Sequence, residues 1–165
     1  MIKLNKKSKK LLLLQRNELL SQKQNWLRRK FGRLIFTNFL VNFYQIKNIE
    51  KISEELFKDE LKTFQNFLPK NIKNIMDIGC GLGIIDILLD QLYKGDPNFF
   101  LLDKNKVDRK IKYGFSSNYE SYNDLNETKN LLLNNKISIN RINIFDVDKK
   151  IEINKNIDLV ISLKS

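Results

Sequence analysis

One short stretch of this sequence, D-I-G-C-G-L-G, combines an acidic residue with three alternating glycines. It runs from Asp77 to Gly83, between an apolar run and an amphipathic one. Glycine adopts backbone dihedrals that other residues avoid, and it lets the backbone come close to a bound group. A strand-to-helix turn that uses glycine only for packing would read the same way. The sequence of the turn alone therefore supports a packing role and a ligand-binding role for the glycines equally.

The glycine spacing narrows the class of ligand. A dinucleotide-binding turn has the form G-x-G-x-x-G, whereas here the third glycine comes one position early and Ile84 takes its place. A P-loop is excluded because no Gly-Lys-Ser/Thr follows. Asp77 would be out of place beside a phosphate, but its carboxylate suits a cationic or amino-bearing group. We therefore predict a nucleoside-like ligand without a pyrophosphate.

The elements that must position this turn follow from the hydrophobic pattern. From Ile72 onward, short β-rich runs alternate with helical runs, which is typical of a parallel sheet with crossover helices. The predicted strands are IKNIMDI, NFFLLD, RINIFD and IDLVISL, and the predicted helices are GIIDILLDQLY and YNDLNETKNLLLNN. This pattern predicts an α/β fold over residues 71–165.

The first 70 residues have a different pattern and are predicted to form a helical cap or extension. Residues 8–46 predict one or two helices, and apolar residues from Ile49 to Leu68 keep helical spacing up to Pro69. The aromatic residues of this extension are interpreted as its core rather than as a cofactor-binding group: Trp26, Phe31, Phe36, Phe39, Phe43 and Tyr44.

The residues from 72 to 165 resemble the class I S-adenosylmethionine-dependent methyltransferases. The first motif of that family, D-x-G-x-G-x-G, is matched at every fixed position. The resemblance implies a Rossmann-like parallel sheet in which this chain supplies the first four of seven strands, in the order 3-2-1-4. It therefore also implies that the chain is incomplete at its C-terminus. The implied cofactor is S-adenosylmethionine.

The same resemblance assigns residues to the cofactor. Asp103, at the end of the second strand, would accept hydrogen bonds from both ribose hydroxyls. Asp146 would meet the adenine amino group with Val147 near the ring, and Ser162 would border the methionine part. The full predicted set is Asp77, Gly79, Cys80, Gly81, Gly83, Asp103, Lys104, Asp146, Val147 and Ser162. Asp158 is instead interpreted as a strand-start residue.

The methyl acceptor is suggested by residues 112–135. This segment resembles the sugar O-methyltransferases encoded with bacterial surface-polysaccharide genes, which implies a small-molecule hydroxyl, such as that of a sugar, as acceptor. Its aromatic residues are interpreted as packing residues rather than as a grip on a sugar ring: Tyr113, Phe115, Tyr119 and Tyr122. No catalytic base is assigned. An RNA methyltransferase and an inactive binding protein of the same fold remain alternatives.

Composition sets further bounds on function. The net charge of +11 would attract nucleic acid or an anionic membrane face, although Lys, Asn and Ile dominate throughout and suggest a background bias. One cysteine and no histidine exclude an internal disulfide and a His/Cys zinc site within this chain, and no metal site is predicted. The apolar runs are too short for a signal peptide or a membrane helix. We therefore expect a cytoplasmic protein, and the oligomeric state is left open.

Overall fold

The chain folds around one parallel sheet flanked by helices. The computed structural model describes residues 2–43, 49–107 and 122–163. Its four strands are β1 (Asn74–Ile78), β2 (Asn98–Asp103), β3 (Ile142–Asp146) and β4 (Leu159–Ile161), in the order β3-β2-β1-β4. Every neighbouring pair is parallel. The predicted α/β class and the predicted strand order are thereby confirmed.

The described residues form six α-helices. They are α1 (Lys6–Gln15), α2 (Gln22–Phe31), α3 (Arg33–Phe43), α4 (Ile49–Phe64), α5 (Ile84–Leu92) and α6 (Leu125–Asn134). The prediction of one or two helices over residues 8–46 was wrong, because the described part of that range contains three. Ser21 starts α2 with a capping box, and Gly32 separates α2 from α3 at a φ of 89°.

The two ends of the sheet have different roles. At the starting end, the Asp158 carboxylate accepts hydrogen bonds from the backbone N–H groups of Lys73 and Asn74, both at 2.9 Å. Asp158 is therefore a strand-start residue, as predicted. At the opposite end, Asp103 and Asp146 are register partners on β2 and β3. The glycine turn leaves β1 at this same end.

The N-terminal helices and the sheet share one hydrophobic core. The fully buried residues Leu12, Ile75, Leu89 and Leu132 come from α1, β1, α5 and α6, and they belong to a single cluster. A buried carboxylate, Glu127, ties α1 to α6. It accepts hydrogen bonds from the side chains of Asn5, at 2.8 Å, and Ser8. At the other end of α1, the Gln15 side chain approaches Gly81 of the glycine turn.

The prediction that the aromatic residues of the extension form its core was wrong for most of them. Only Phe36 is buried. Leucines of α1 fill the core in place of the other aromatic rings, and α3 turns Phe36, Thr37 and Leu40 inward. The exposed members are Trp26, Phe31, Phe39 and Phe43, whereas Tyr44 lies outside the described residues.

None of the helices that the structure describes has the length and apolar character needed to cross a membrane.

Candidate functional site

The glycine turn is wound tightly between β1 and α5. Gly79, Gly81 and Gly83 have φ values of 76°, 54° and 69°, all in the region that favours glycine. The backbone N–H groups of Gly79 and Cys80 donate to the Leu102 carbonyl at 2.8 and 3.2 Å. The turn is therefore fastened to β2, and its geometry explains why glycine occupies alternate positions.

Asp103 closes the turn from the end of β2. Its Oδ2 accepts hydrogen bonds from the Gly81 N–H at 2.7 Å and from the Asn123 side-chain amide at 3.0 Å. Its Oδ1 accepts from the Lys104 N–H at 2.6 Å. Burial nevertheless raises the pKa of the Asp103 carboxyl, although these hydrogen bonds act in the opposite direction. A carboxylate has about four acceptor sites, so a diol could gain two hydrogen bonds only if a present partner, such as Asn123, moved away.

Two buried carboxyl groups lie side by side beneath the turn. Asp77 on β1 and Asp86 in the first turn of α5 are within hydrogen-bonding range of each other. Burial, with the negative charge of Asp103 acting in the same direction, raises the pKa of Asp77 to about 7. Burial and the neighbouring Asp77 raise the pKa of Asp86 well above its usual range. We infer that the pair holds a proton near neutral pH, since two bare carboxylates in contact repel each other.

The Cys80 thiol is buried in the same turn. Its Sγ lies 3.7 Å from the Gly81 carbonyl oxygen. Burial and the nearby Asp86 raise the pKa of the thiol well above its usual value. A thiol that stays protonated is a poor nucleophile, so Cys80 serves as a wall of the site.

A cavity of about 590 Å³ opens at the glycine turn. Ligand sites in proteins typically measure about 300–1,000 Å³. Its floor comes from the ends of β1 and β2 and from the turn, and its other walls come from the end of α1, from α4 and from Tyr122 and Asn123. The cavity therefore lies between the sheet and the N-terminal helices.

Most of the predicted site residues line this cavity, namely Asp77, Gly79, Cys80, Gly81, Asp103, Lys104 and Val147. The remaining three do not line it. Gly83 caps α5 and packs toward Leu132, while Asp146 lies 3.6 Å from the Lys149 ammonium. The exposed Ser162 donates a hydrogen bond to the Ile78 carbonyl at 2.9 Å.

The helical extension contributes cavity residues that sequence reasoning missed. Gln15 donates a hydrogen bond to the Tyr122 carbonyl at 2.8 Å, and Arg16 pairs with both oxygens of Glu60 at 3.0 and 3.2 Å. The Arg16 guanidinium also stacks over Phe57, 4.7 Å from the ring centre. Asn123 was missed as well, although its amide joins Gly81 to Asp103.

Tyr122 is buried, packs under the Arg33 guanidinium at 4.7 Å and also lines the cavity, so its interpretation as a packing residue stays a prediction. Tyr113, Phe115 and Tyr119 lie outside the described residues. Among the residues that the structure does describe, no group of Cys, Asp and Glu side chains has the arrangement of a metal site.

Gly81→Val should impair ligand binding much more than it impairs folding. A Cβ at Gly81 would lie 3.1 Å from Oε1 of Gln15, the far end of a flexible side chain that can move. The left-handed backbone should then cost roughly 1–2 kcal/mol of folding free energy. The branched side chain would narrow the cavity beside the turn. Thermal unfolding and ligand titration of the same variant separate the two effects, and a folded variant with normal binding would make Gly81 a packing residue only.

Comparisons with protein-family models, with curated proteins and with solved structures find no match to this chain.

Proposed function

We propose that this chain binds S-adenosylmethionine at the glycine turn, as the cofactor-binding part of a Rossmann-like methyltransferase. The observation that carries the proposal is the cavity at the carboxyl ends of β1 and β2, whose floor is D-I-G-C-G-L-G and whose edge is Asp103. Ligands of open parallel sheets bind at this end of the strands.

The carboxyl groups at the glycine turn fit a cationic group of a ligand. Asp77 and Asp103 line the cavity there, whereas Arg16, Arg33 and Lys104 line its other parts. A cation bound at the turn would favour the ionised form of these carboxyl groups, whose pKa burial raises. S-adenosylmethionine carries a sulfonium and an amino group, both positive, and it lacks a phosphate. A dinucleotide would bring its anionic pyrophosphate against these carboxyl groups. The carboxyl groups at the turn therefore fit the positive groups of the proposed cofactor better than they fit a phosphate.

Each wall of the cavity has a role in this proposal. When bound, the cofactor supplies an electrophilic methyl group. Asp103 would orient the ribose, Val147 would pack near the adenine, and Gln15 and Arg16 would cover the site against water. Displacement at a methyl group depends chiefly on alignment of the acceptor and on exclusion of water. These residues therefore position the reaction, and no catalytic base is assigned.

The acceptor in this proposal is the hydroxyl of a small molecule, such as a sugar. Support comes from the resemblance of residues 112–135 to sugar O-methyltransferases, a segment that the structure describes only from Tyr122 onward. The net charge of +11 favours RNA as a second candidate acceptor. RNA binding whose affinity falls steeply with salt would favour that candidate, whereas methyl transfer to sugars without RNA binding would exclude it.

Asp103→Ala should weaken binding of S-adenosylmethionine by about 2–3 kcal/mol, because the ribose would lose two charged hydrogen bonds, one of them at the acceptor site that Asn123 occupies in the free protein. Isothermal titration of the wild type and the variant measures the change. Asp148→Asn is the matched control, since it removes an exposed acid from the turn after β3 and should leave affinity unchanged. Equal affinities for wild type and Asp103→Ala would remove Asp103 from the site.

A further inference from the structure

Five large apolar side chains stand exposed on α2 and α3. The exposed fractions are 60% for Trp26, 53% for Phe31, 70% for Ile35, 51% for Phe39 and 79% for Phe43. We call this set the aromatic face. Single exposed apolar residues are ordinary on proteins, but a cluster of this kind marks an interaction surface.

The aromatic face follows the geometry of α3. Ile35, Phe39 and Phe43 are spaced four residues apart and so form one stripe along the helix. The Phe39 and Phe43 rings lie 5.6 Å apart. The opposite side of α3 buries Phe36 and Leu40 in the core. The orientation of α3 is therefore fixed by its packed side, and the aromatic stripe is held outward.

The segment that carries the aromatic face has charged residues of one sign only. No Asp or Glu occurs between Glu18 and Glu50, whereas Lys23, Arg29 and Lys30 are exposed on α2. The Lys30 ammonium lies 5.3 Å from the Trp26 ring centre and 5.9 Å from that of Phe31. The Lys30 ammonium is thus placed directly beside two of the exposed rings. Amphipathic helices that lie in the interface of an anionic membrane combine exposed aromatic and aliphatic side chains with neighbouring Lys and Arg.

We propose that the aromatic face docks on an anionic lipid surface, with its rings and Ile35 at the level of the acyl-chain boundary and its cations at the lipid phosphates. A second copy of the chain is a poorer occupant, because symmetric pairing would bring the same positive charges together. RNA could pair with the cations and stack its bases on the aromatic rings, but RNA binding would not explain why the aliphatic Ile35 is part of the exposed stripe. This surface is separate from the proposed cofactor site, and it does not depend on methyl transfer.

Flotation of the protein with lipid vesicles tests the proposal. Vesicles of phosphatidylcholine with phosphatidylglycerol should carry the protein upward, and vesicles of phosphatidylcholine alone should not. The triple variant Lys23→Gln, Arg29→Gln and Lys30→Gln should bind about 100-fold more weakly at low salt, from about fivefold per charge. The double variant Phe39→Ser and Phe43→Ser should bind about tenfold more weakly.

A matched control for the rings is Phe67→Ser, because Phe67 is 85% exposed but lies in the turn between α4 and β1. It should float like the wild type. Lys150→Gln, an exposed residue after β3, is the corresponding control for charge. Absence of flotation with anionic vesicles would overturn the proposal, as would equal losses in control and face variants. Face variants that lose dimer formation or RNA binding while vesicle binding is unchanged would also overturn it.

Discussion

Gly83→Ala is expected to lower the free energy of unfolding by about 2–5 kcal/mol, a larger loss than alanine should cause at Gly32, Gly81 or Gly95. A Cβ there would lie 2.7 Å from Cδ1 of Leu132, a distance that real Cβ contacts do not show. The φ of 69° adds backbone strain for any residue other than glycine. Leu132 is fully buried in the shared core, so it has little room to move aside.

Gly32→Ala is the matched control for this experiment. Gly32 also has a positive φ, of 89°, but no described atom lies within 4 Å of a Cβ built there. Its replacement should cost only the backbone strain, roughly 1–2 kcal/mol. Urea unfolding of both variants separates strain from overlap. Equal losses in the two variants would show that α6 does not pack against the glycine turn as described.

The buried acid pair should make the stability of the wild type fall as pH rises from about 4 to 7. The pKa of Asp77 is raised to about 7 in the folded state, whereas an unfolded Asp titrates near 4, so the folded state holds more protons in this window. The stabilisation that the raised pKa of Asp77 contributes is fully present below the pKa of the unfolded state. It is lost as pH rises through the pKa of the folded state. For Asp77 the loss is on the order of 4 kcal/mol.

Asp86→Asn should remove the part of this dependence that comes from Asp86, because an amide does not titrate and does not repel the Asp77 carboxylate, whereas the burial of Asp77 remains. The stability of the variant relative to the wild type should therefore be greater at pH 8 than at pH 5. Urea unfolding of both proteins at these two pH values measures the difference. Asp59→Asn is the control, since Asp59 is an exposed residue of α4. A difference between Asp86→Asn and wild type that stays constant with pH would show that the two carboxyl groups do not share a proton.

The sheet could be predicted from sequence because its signals are local. NFFLLD coincides with β2, and each of the other strands lies within its predicted run. The glycine spacing is also local, and it identified a turn in which φ is positive at each glycine. Parallel order followed from the alternation of strands and helices together with the resemblance.

The helical extension could be predicted only in part, because hydrophobic periodicity does not say which apolar residues become buried. The helix α3 carries Phe36 and Leu40 on one side and Ile35, Phe39 and Phe43 on another. Either stripe satisfies helical spacing. The choice depends on α1, whose leucines occupy the core, and that packing is not visible in the sequence of α3.

Contacts in the candidate site between residues far apart in the chain could not be predicted from sequence either. Gln15 meets Tyr122 although they are 107 residues apart, and Asn123 meets Gly81 across 42 residues. No motif links these positions, so their part in the cavity follows only from the fold. The acid pair is a related case, since Asp86 reads as an ordinary first-turn acid of α5 until its burial is known.

Cofactor binding at the glycine turn is tested most directly by nuclear magnetic resonance of protein labelled with ¹⁵N-glycine. The chain contains only six glycines, so the spectrum is simple, and the variants Gly32→Ala and Gly95→Ala identify two reference signals. Addition of S-adenosylmethionine should shift the amide signals of Gly79 and Gly81, while those of Gly32 and Gly95 stay in place. Unchanged Gly79 and Gly81 signals at saturating cofactor would contradict the proposed function.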